Sequence, residues 1–256
     1  NCMRTKLFVF GLLVSVLLGG LLLSGCQEAE TARPEKIVIA TDATWPPMEY
    51  VDESRGIVGF DIDLIKAVAE AADFEVEVRN TAWDGIFAGL LNGDYDAVIS
   101  SVTITEDRQR TMDFSIPYIN AGQVLIVRTE TEGVEKLADL DGESVGAQIG
   151  TTGFFEIQNT PGLTALSYDE IGLAVEDLAS GRIAGVVADA PIAADYVLQN
   201  DNYQDRLKIV GEPFTDEYFG IAVNKGNERV LAVINEGLEK VLASDTITEL
   251  QDKWLR

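Results

Sequence analysis

The sequence predicts an α/β protein of two lobes, about 100 residues each, linked by two extended crossings. Three observations predict it. Strand-like and helix-like segments alternate from Lys36 onward, the order expected of βαβ units on a sheet. The same alternation restarts after residue 142. Two apolar strand-like segments, at 123–128 and 218–224, flank the second run where the chain would pass between lobes. A chain of 256 residues is long enough for one large domain or two small ones, each with a real core.

The first strand, Lys36–Thr41, is short and continuously apolar, as strands buried on both faces of a parallel sheet are. Residues 61–72 follow helical spacing, with Leu64, Val68 and Ala72 on one side and Ile65 and Ala69 beside them. Asp61 and Asp63 suit the positive start of that helix. Residues 74–79 alternate as a half-buried strand, 84–91 read as a helix stopped by Asn92-Gly93, and 95–101 as a strand. In the second run, strands at 143–148, 163–168 and 183–188 enclose helices after Gly150 and at 169–180. Helices at 228–242 and 245–255 close the chain, with Asp245 as the expected cap of the last. The first lobe is therefore expected to comprise 36–121 and 219–256, and the second 122–218.

Composition excludes several function classes. Hydrophobic residues make up 46% and charged residues 24%, a globular balance. The formal charge of −24 repels phosphate backbones and anionic headgroups, so no nucleic-acid partner is expected. Histidine is absent, which removes Ser-His and Cys-His nucleophile pairs and His-ligated metals. Cys2 and Cys26 are the only cysteines, so nothing beyond residue 26 can form a disulfide or a thiolate metal site. No cofactor and no metal are expected.

The first 25 residues read as a secretory signal peptide: Arg4 and Lys6, then an apolar run from Leu7 to Leu23, then small residues. Leu23-Ser24-Gly25-Cys26 resembles the lipobox of bacterial lipoproteins, in which cleavage precedes the cysteine and its sulfur carries a diacylglycerol. An uncleaved anchor helix is the alternative, and either arrangement places the remainder outside the cytoplasmic membrane. Residues 26–35 are polar and aperiodic, a tether between lipid and folded body.

Ligands of open α/β sheets gather at strand carboxyl ends, so the residues just past each strand are the candidates. Asp42 and Trp45 follow the first strand, and Trp83 precedes a helix. Thr105 is a good N-cap, which puts Arg108 in a first helical turn, where a cation is disfavoured unless an anion is bound nearby. Gly150-Thr151-Thr152-Gly153 offers backbone N–H groups and hydroxyls after a second-lobe strand. Asp189 follows the strand at 183–188 and would face the cleft from the other side. Each has a structural alternative. Arg108 could pair with Glu106 or Asp113, Asp42 could close an Asx turn, the tryptophans could be core, and Asp189 could cap a helix ahead of Pro191.

Several segments occur in a characteristic order: Trp45-Pro46-Pro47-Met48-Glu49, Gly-Ile-Val-Gly-Phe-Asp-Ile-Asp at 56–63, and Trp83-Asp84-Gly85-Ile86. Thr103-Ile104-Thr105-Glu106-Asp107-Arg108, Asp113-Phe114-Ser115-Ile116-Pro117-Tyr118 and Gly150-Thr151-Thr152 follow. Phe219-Gly220-Ile221-Ala222-Val223 and Lys253-Trp254 complete the set. In these the chain resembles, from about Lys36 to Arg256, the family 3 extracytoplasmic solute-binding proteins that serve polar amino-acid ABC transporters. It departs from the family pattern at Ala184-Gly185 and at Ser244-Asp245-Thr246.

The resemblance implies a type II periplasmic-binding-protein-like fold, a monomer, an L-amino acid ligand and an ABC permease partner. It implies that Arg108 grips the ligand α-carboxylate, with Thr103 and Thr152 completing the cradle. Asp189 would hold the α-ammonium beside Ser100 and the carbonyl of Ser101, and Trp45 and Trp83 would wall the side-chain slot. Asp42 at the slot's far end, between aromatic faces, suits a cationic side chain, arginine before lysine, histidine or ornithine. Glutamine is the close alternative, and Gln148 could contact either. Hinges are expected near 121–123 and 216–219. The rival functions are a carboxylate-based dehydratase or isomerase on the same scaffold, a structural lipoprotein, and a sensor module. The last needs a downstream signalling segment that the sequence through Arg256 does not contain.

Overall fold

The computed structural model describes residues 33–255; the signal peptide, Cys26 and most of the tether lie outside them. Two five-stranded sheets organise the body. The first runs in the order Glu75–Asn80, Lys36–Thr41, Ala97–Val98, Ala222–Asn224, Met112–Phe114. The second runs Thr164–Tyr168, Ser144–Gln148, Gly185–Asp189, Gln123–Arg128, Leu207–Val210. In each sheet the first three strands are parallel, and the fourth, which has come from a crossing, runs antiparallel to the third. Parallel strands need helical connections over their faces, which explains why Ile37, Ile39 and Ala40 are fully buried.

The helix Phe60–Ala72 carries Asp61 and Asp63 in its first turn and buries Leu64, Ile65, Val68 and Ala72. It packs on Glu228–Leu242, where Gly237 lets the backbones meet: a Cβ there would lie 2.4 Å from the carbonyl oxygen of Val68. The last helix, Asp245–Trp254, is tied to the same partner, since Lys253 Nζ and Trp254 Nε1 both donate to Asp63 Oδ2, at 2.7 and 3.0 Å.

Gly59 precedes the helix at φ +133°, and a Cβ on it would meet the Met48 carbonyl oxygen at 2.2 Å. The same junction is pinned by N–H bonds from Phe60 to Pro47 O and from Asp61 to Met48 O. Gly59→Ala should therefore cost roughly 2 kcal/mol or more in urea unfolding, because both the dihedral and the contact forbid a side chain.

The crossings pair with each other. Tyr218–Phe219 lies antiparallel to Ile119–Asn120, and Gly122 packs so closely on residue 215 that a Cβ would meet the Thr215 carbonyl oxygen at 2.3 Å.

Several element boundaries differ from the sequence expectation. The strand expected over 95–101 is only Ala97–Val98, because the chain turns at Ser101, which sits at φ +49°. The strand expected over 218–224 is broken into Tyr218–Phe219 and Ala222–Asn224, each pairing with a different sheet. Glu75–Asn80 is a sheet edge, so its burial does not alternate. The final helix is capped by Ser244, whose hydroxyl accepts from the Thr246 N–H, and Asp245 lies inside it. Met112–Phe114 and Leu207–Val210 were not legible as strands; both are edges recruited by antiparallel pairing.

Candidate functional site

A cavity lies where the carboxyl ends of the two sheets meet. Asp42, Trp45, Trp83, Ser100, Ser101, Thr103 and Arg108 line it from the first lobe. Gln148, Thr152 and Asp189 line it from the second, and Glu49 and Thr151 complete the wall. The structure thus brings together all ten cavity residues selected from the sequence, although they span residues 42 to 189.

Arg108 reaches the cavity from the short helix Glu106–Gln109, whose start is capped by Thr105 accepting the Arg108 N–H at 3.2 Å. Its guanidinium donates to the carbonyl oxygens of Thr103 at 2.9 Å and Gly150 at 3.3 Å. The second bond crosses the cleft. The guanidinium also sits 5.4 Å from the Trp83 ring centre and 5.1 Å from that of Phe87. The surface pairing considered for it is not formed, since Asp113 is engaged by Lys225 at 2.6 Å. Desolvation lowers the Arg108 pKa to about 10, against the pull of Asp189 and Glu217.

Asp189 ends the strand Gly185–Asp189 and stands at the start of Ala190–Ala194, but its side chain does not cap that helix. Instead its carboxylate accepts from Gln123 Nε2 at 2.8 Å. Burial, reinforced by Glu217, pushes its pKa well above the ordinary carboxylate range. The cavity therefore holds a guanidinium and a carboxylate that are each penalised in the charged form. Such groups recover their solvation only when a complementary charge sits beside them.

Asp42 follows the first strand, and its N–H donates to Ser100 Oγ at 2.9 Å. The local turn is present too: Thr44 Oγ1 donates to Asp42 Oδ1 at 3.0 Å. From the other lobe, Gln148 Nε2 donates both to Asp42 Oδ2 at 2.9 Å and to the Asp169 carbonyl at 2.8 Å. Both partners only accept, so the Gln148 amide has one orientation and its Oε1 remains as an acceptor. Burial lifts the Asp42 pKa, while the bonds from Gln148 and Thr44 oppose the rise. Trp45 and Trp83 belong to the buried packing and wall the cavity at once.

Thr151 caps the helix Thr152–Asn159 by accepting the Phe154 N–H. The Thr152 hydroxyl donates to Glu217 Oε2 at 2.6 Å and accepts from Gln123 Nε2 at 3.0 Å. Its proton is committed, which leaves the backbone N–H at the helix start as its free donor. Glu49, Phe87, Gln123 and Glu217 were not selected from the sequence as site residues, and Thr151 entered only as part of the Gly150-Thr151-Thr152-Gly153 segment. Glu217 and Gln123 lie in the crossings, and only long-range pairing places them against Thr152. Among the described residues no group of three or more His, Cys, Asp or Glu is placed to hold a metal ion, and no helix is long and apolar enough to cross a membrane.

Fold and site define a two-lobed binding protein with a buried, doubly charged cavity between its lobes. The family model for bacterial extracellular solute-binding proteins, family 3, matches residues 37–256. The chain belongs to that family. Among curated relatives, the "Probable histidine-binding protein" of Neisseria gonorrhoeae is 36% identical over 88% of this chain and 85% of its own length. The "ABC transporter arginine-binding protein 1" of Escherichia coli K12 is 35% identical, over 86% of this chain and 90% of that protein. Two solved structures of an ancestral arginine-binding protein are also similar. The one bound to arginine is 38% identical with a TM-score of 0.83, covering 88% of this chain and all 100% of that one. The one bound to glutamine is 39% identical with a TM-score of 0.81, covering 87% and 99%.

Proposed function

We propose that this protein is the extracytoplasmic binding component of an ABC importer and captures an L-amino acid, arginine first among cationic ones. The observation that carries the reading is the pairing of Arg108 and Asp189 across one buried cavity with Asp42 at its end. A zwitterion satisfies both main charges. Arg108 grips the α-carboxylate with its two-pronged guanidinium, aided by Thr103 and by the Thr152 N–H. Asp189 and the Ser101 carbonyl hold the α-ammonium. At the slot's end, Asp42 and Gln148 Oε1 are both acceptors, so the ligand side chain must end in donors, as a guanidinium, an ammonium or an amide does. The Trp45 and Trp83 faces favour the cations.

Ligand contacts come from both lobes, so binding shifts the population toward the closed form by bending at 121–123 and 216–219. Two bonds already cross the cleft, Arg108 to Gly150 and Gln148 to Asp42. A membrane permease then receives the closed form. Cys26 anchors the chain to the outer face of the membrane through a lipid, after removal of residues 1–25.

A thermal-shift panel of all L-amino acids on the refolded, ligand-stripped protein tests the reading. A ligand at about 1,000 times its Kd adds roughly 4 kcal/mol. For a chain of this size that is about 8–16 °C in Tm. Arginine should give the largest shift, and Asp42→Ala should remove most of it. A shift with glutamine alone would assign Asp42 to amide recognition. Silence across the panel from folded protein, with turnover of a carboxylic substrate, would favour the dehydratase-like alternative.

A further inference from the structure

Two carboxyl groups sit behind the ammonium end of the cavity, and the binding reading assigns them no role. Glu49 and Asp61 are both 0% exposed. Glu49 lines the cavity; Asp61 opens the helix Phe60–Ala72. The Gly59 junction, with its bonds to Pro47 and Met48, brings them side by side. Their hydrogen bonds form an ordered chain. The Asp42 N–H donates to Ser100 Oγ at 2.9 Å, and Ser100 Oγ donates to Glu49 Oε1 at 3.0 Å. On the other side, Asp61 Oδ2 accepts from the Ser101 N–H and from the Tyr118 hydroxyl, both at 2.8 Å.

Asp61 Oδ1 is buried and receives no donor from any ordinary N–H or O–H group. The two carboxyl groups are hydrogen-bond neighbours of each other. A buried carboxylate oxygen left in that state is costly, and two adjacent carboxylates cannot both be ionised cheaply. A single proton resolves both problems. It belongs on Glu49, because Asp61 already accepts two strong donors while Glu49 has only serine hydroxyls.

We infer that Glu49 is a proton-carrying positioning residue: its Oε2–H donates to Asp61 Oδ1, and the pair holds Ser100 and Ser101 in the form that presents the ammonium-binding edge. Ser101 needs such a hold, since φ +49° is a left-handed conformation that a serine does not adopt without restraint. The assignment of that edge to the ammonium rests on the function proposed above; the proton assignment does not. Burial and the charge of Asp61 push Glu49 well above the usual carboxylate range, and burial raises Asp61 to about 6. The other titratable groups facing the pair are Asp42 beside Glu49 and Tyr118 beside Asp61, with Asp189 facing Tyr118 from the second lobe. The charges of Asp61 and Asp42 both favour retention of the proton on Glu49. The hydrogen-bond chain also ties Asp42, at one end of the slot, to Tyr118, the residue before the crossing Ile119–Asn120.

The test uses the full chain, as processed by its host and purified in mild detergent. Infrared spectra with labelled glutamate should show a protonated-carboxyl band at pH 7 that is absent in Glu49→Gln. The band should also vanish in Asp61→Asn, where the amide donates to residue 49 and allows it to ionise. Because the folded pair holds its proton above the ordinary carboxylate range, wild-type stability should fall relative to Glu49→Gln as pH rises from about 4.5 through neutrality. In calorimetric titration with arginine, Glu49→Gln should bind within about threefold of wild type, and Glu49→Ala or Asp61→Ala at least tenfold more weakly, about 1.4 kcal/mol. Absence of the band, or a flat stability difference with pH, overturns the proton assignment. If wild type binds and Glu49→Gln falls as far as Glu49→Ala, the positioning role is overturned. If wild type binds no amino acid but the band and pH profile are as expected, the ligand reading fails and the proton assignment stands.

Discussion

Replacing Arg108 by alanine should abolish tight amino-acid binding, with a loss of at least about 100-fold, or roughly 3 kcal/mol. The α-carboxylate would enter a buried cavity that still holds Asp189 and has no cation to meet it. The charge alone does not suffice. Lysine has no planar fork, so it cannot serve the Thr103 and Gly150 carbonyls and a carboxylate together. Arg108→Lys should therefore recover only a small part of the loss. Titration calorimetry with arginine measures both variants, and the unliganded Tm should stay close to wild type, since guanidinium burial is itself unfavourable. Retention of affinity within about threefold in the alanine variant would falsify the carboxylate role.

Asp189→Asn should move affinity and stability in opposite directions. Loss of the ammonium's counter-charge should weaken binding by about 100-fold, because a buried ammonium would keep only neutral acceptors. The unliganded protein should gain stability. The folded-state pKa of Asp189 is raised by burial and by Glu217, so its stabilising contribution is complete below the unfolded value near 4 and is lost as pH rises through the folded value. Asparagine can still accept the Gln123 amide at the same place without the charge. Its Tm advantage should thus be absent at about pH 4 and clear at about pH 8. Differential scanning calorimetry at both values separates this from a general packing effect, which would not change with pH.

The two predictions share one physical picture. Desolvation displaces Arg108 and Asp189 toward their neutral forms, and in the function proposed above a zwitterion relieves that cost. This is function maintained at a cost in stability, and it explains why the charges converge on one cavity rather than pairing at the surface.

Much of this was legible in the primary structure. The alternation of strands and helices, the restart after residue 142 and the two apolar crossing segments come from local patterning, because burial on a sheet face or helix stripe must be written residue by residue. Strand ends mark where ligands approach an open sheet, so Asp42, Arg108, Gln148 and Asp189 could be selected without coordinates. Thr105 as a cap, and with it the misplaced cation at 108, was a local signal too.

Other features depended on the tertiary structure because they arise from contacts distant in sequence. Glu49 carries no local sign that it is fully buried; Asp61, expected only to complement a helix start, is buried against it through the Gly59 turn. The Thr152 hydroxyl is committed to Glu217, 65 residues away, which no spacing rule reveals. The orientation of the Gln148 amide is set by Asp42, 106 residues away. Edge strands such as Met112–Phe114 form because an antiparallel neighbour supplies their hydrogen bonds. Local patterning and the family resemblance were enough to select the candidate side chains and their expected ligand ends; their protonation and their remaining donors and acceptors arise only in the fold, since those depend on desolvation and on partners from the opposite lobe.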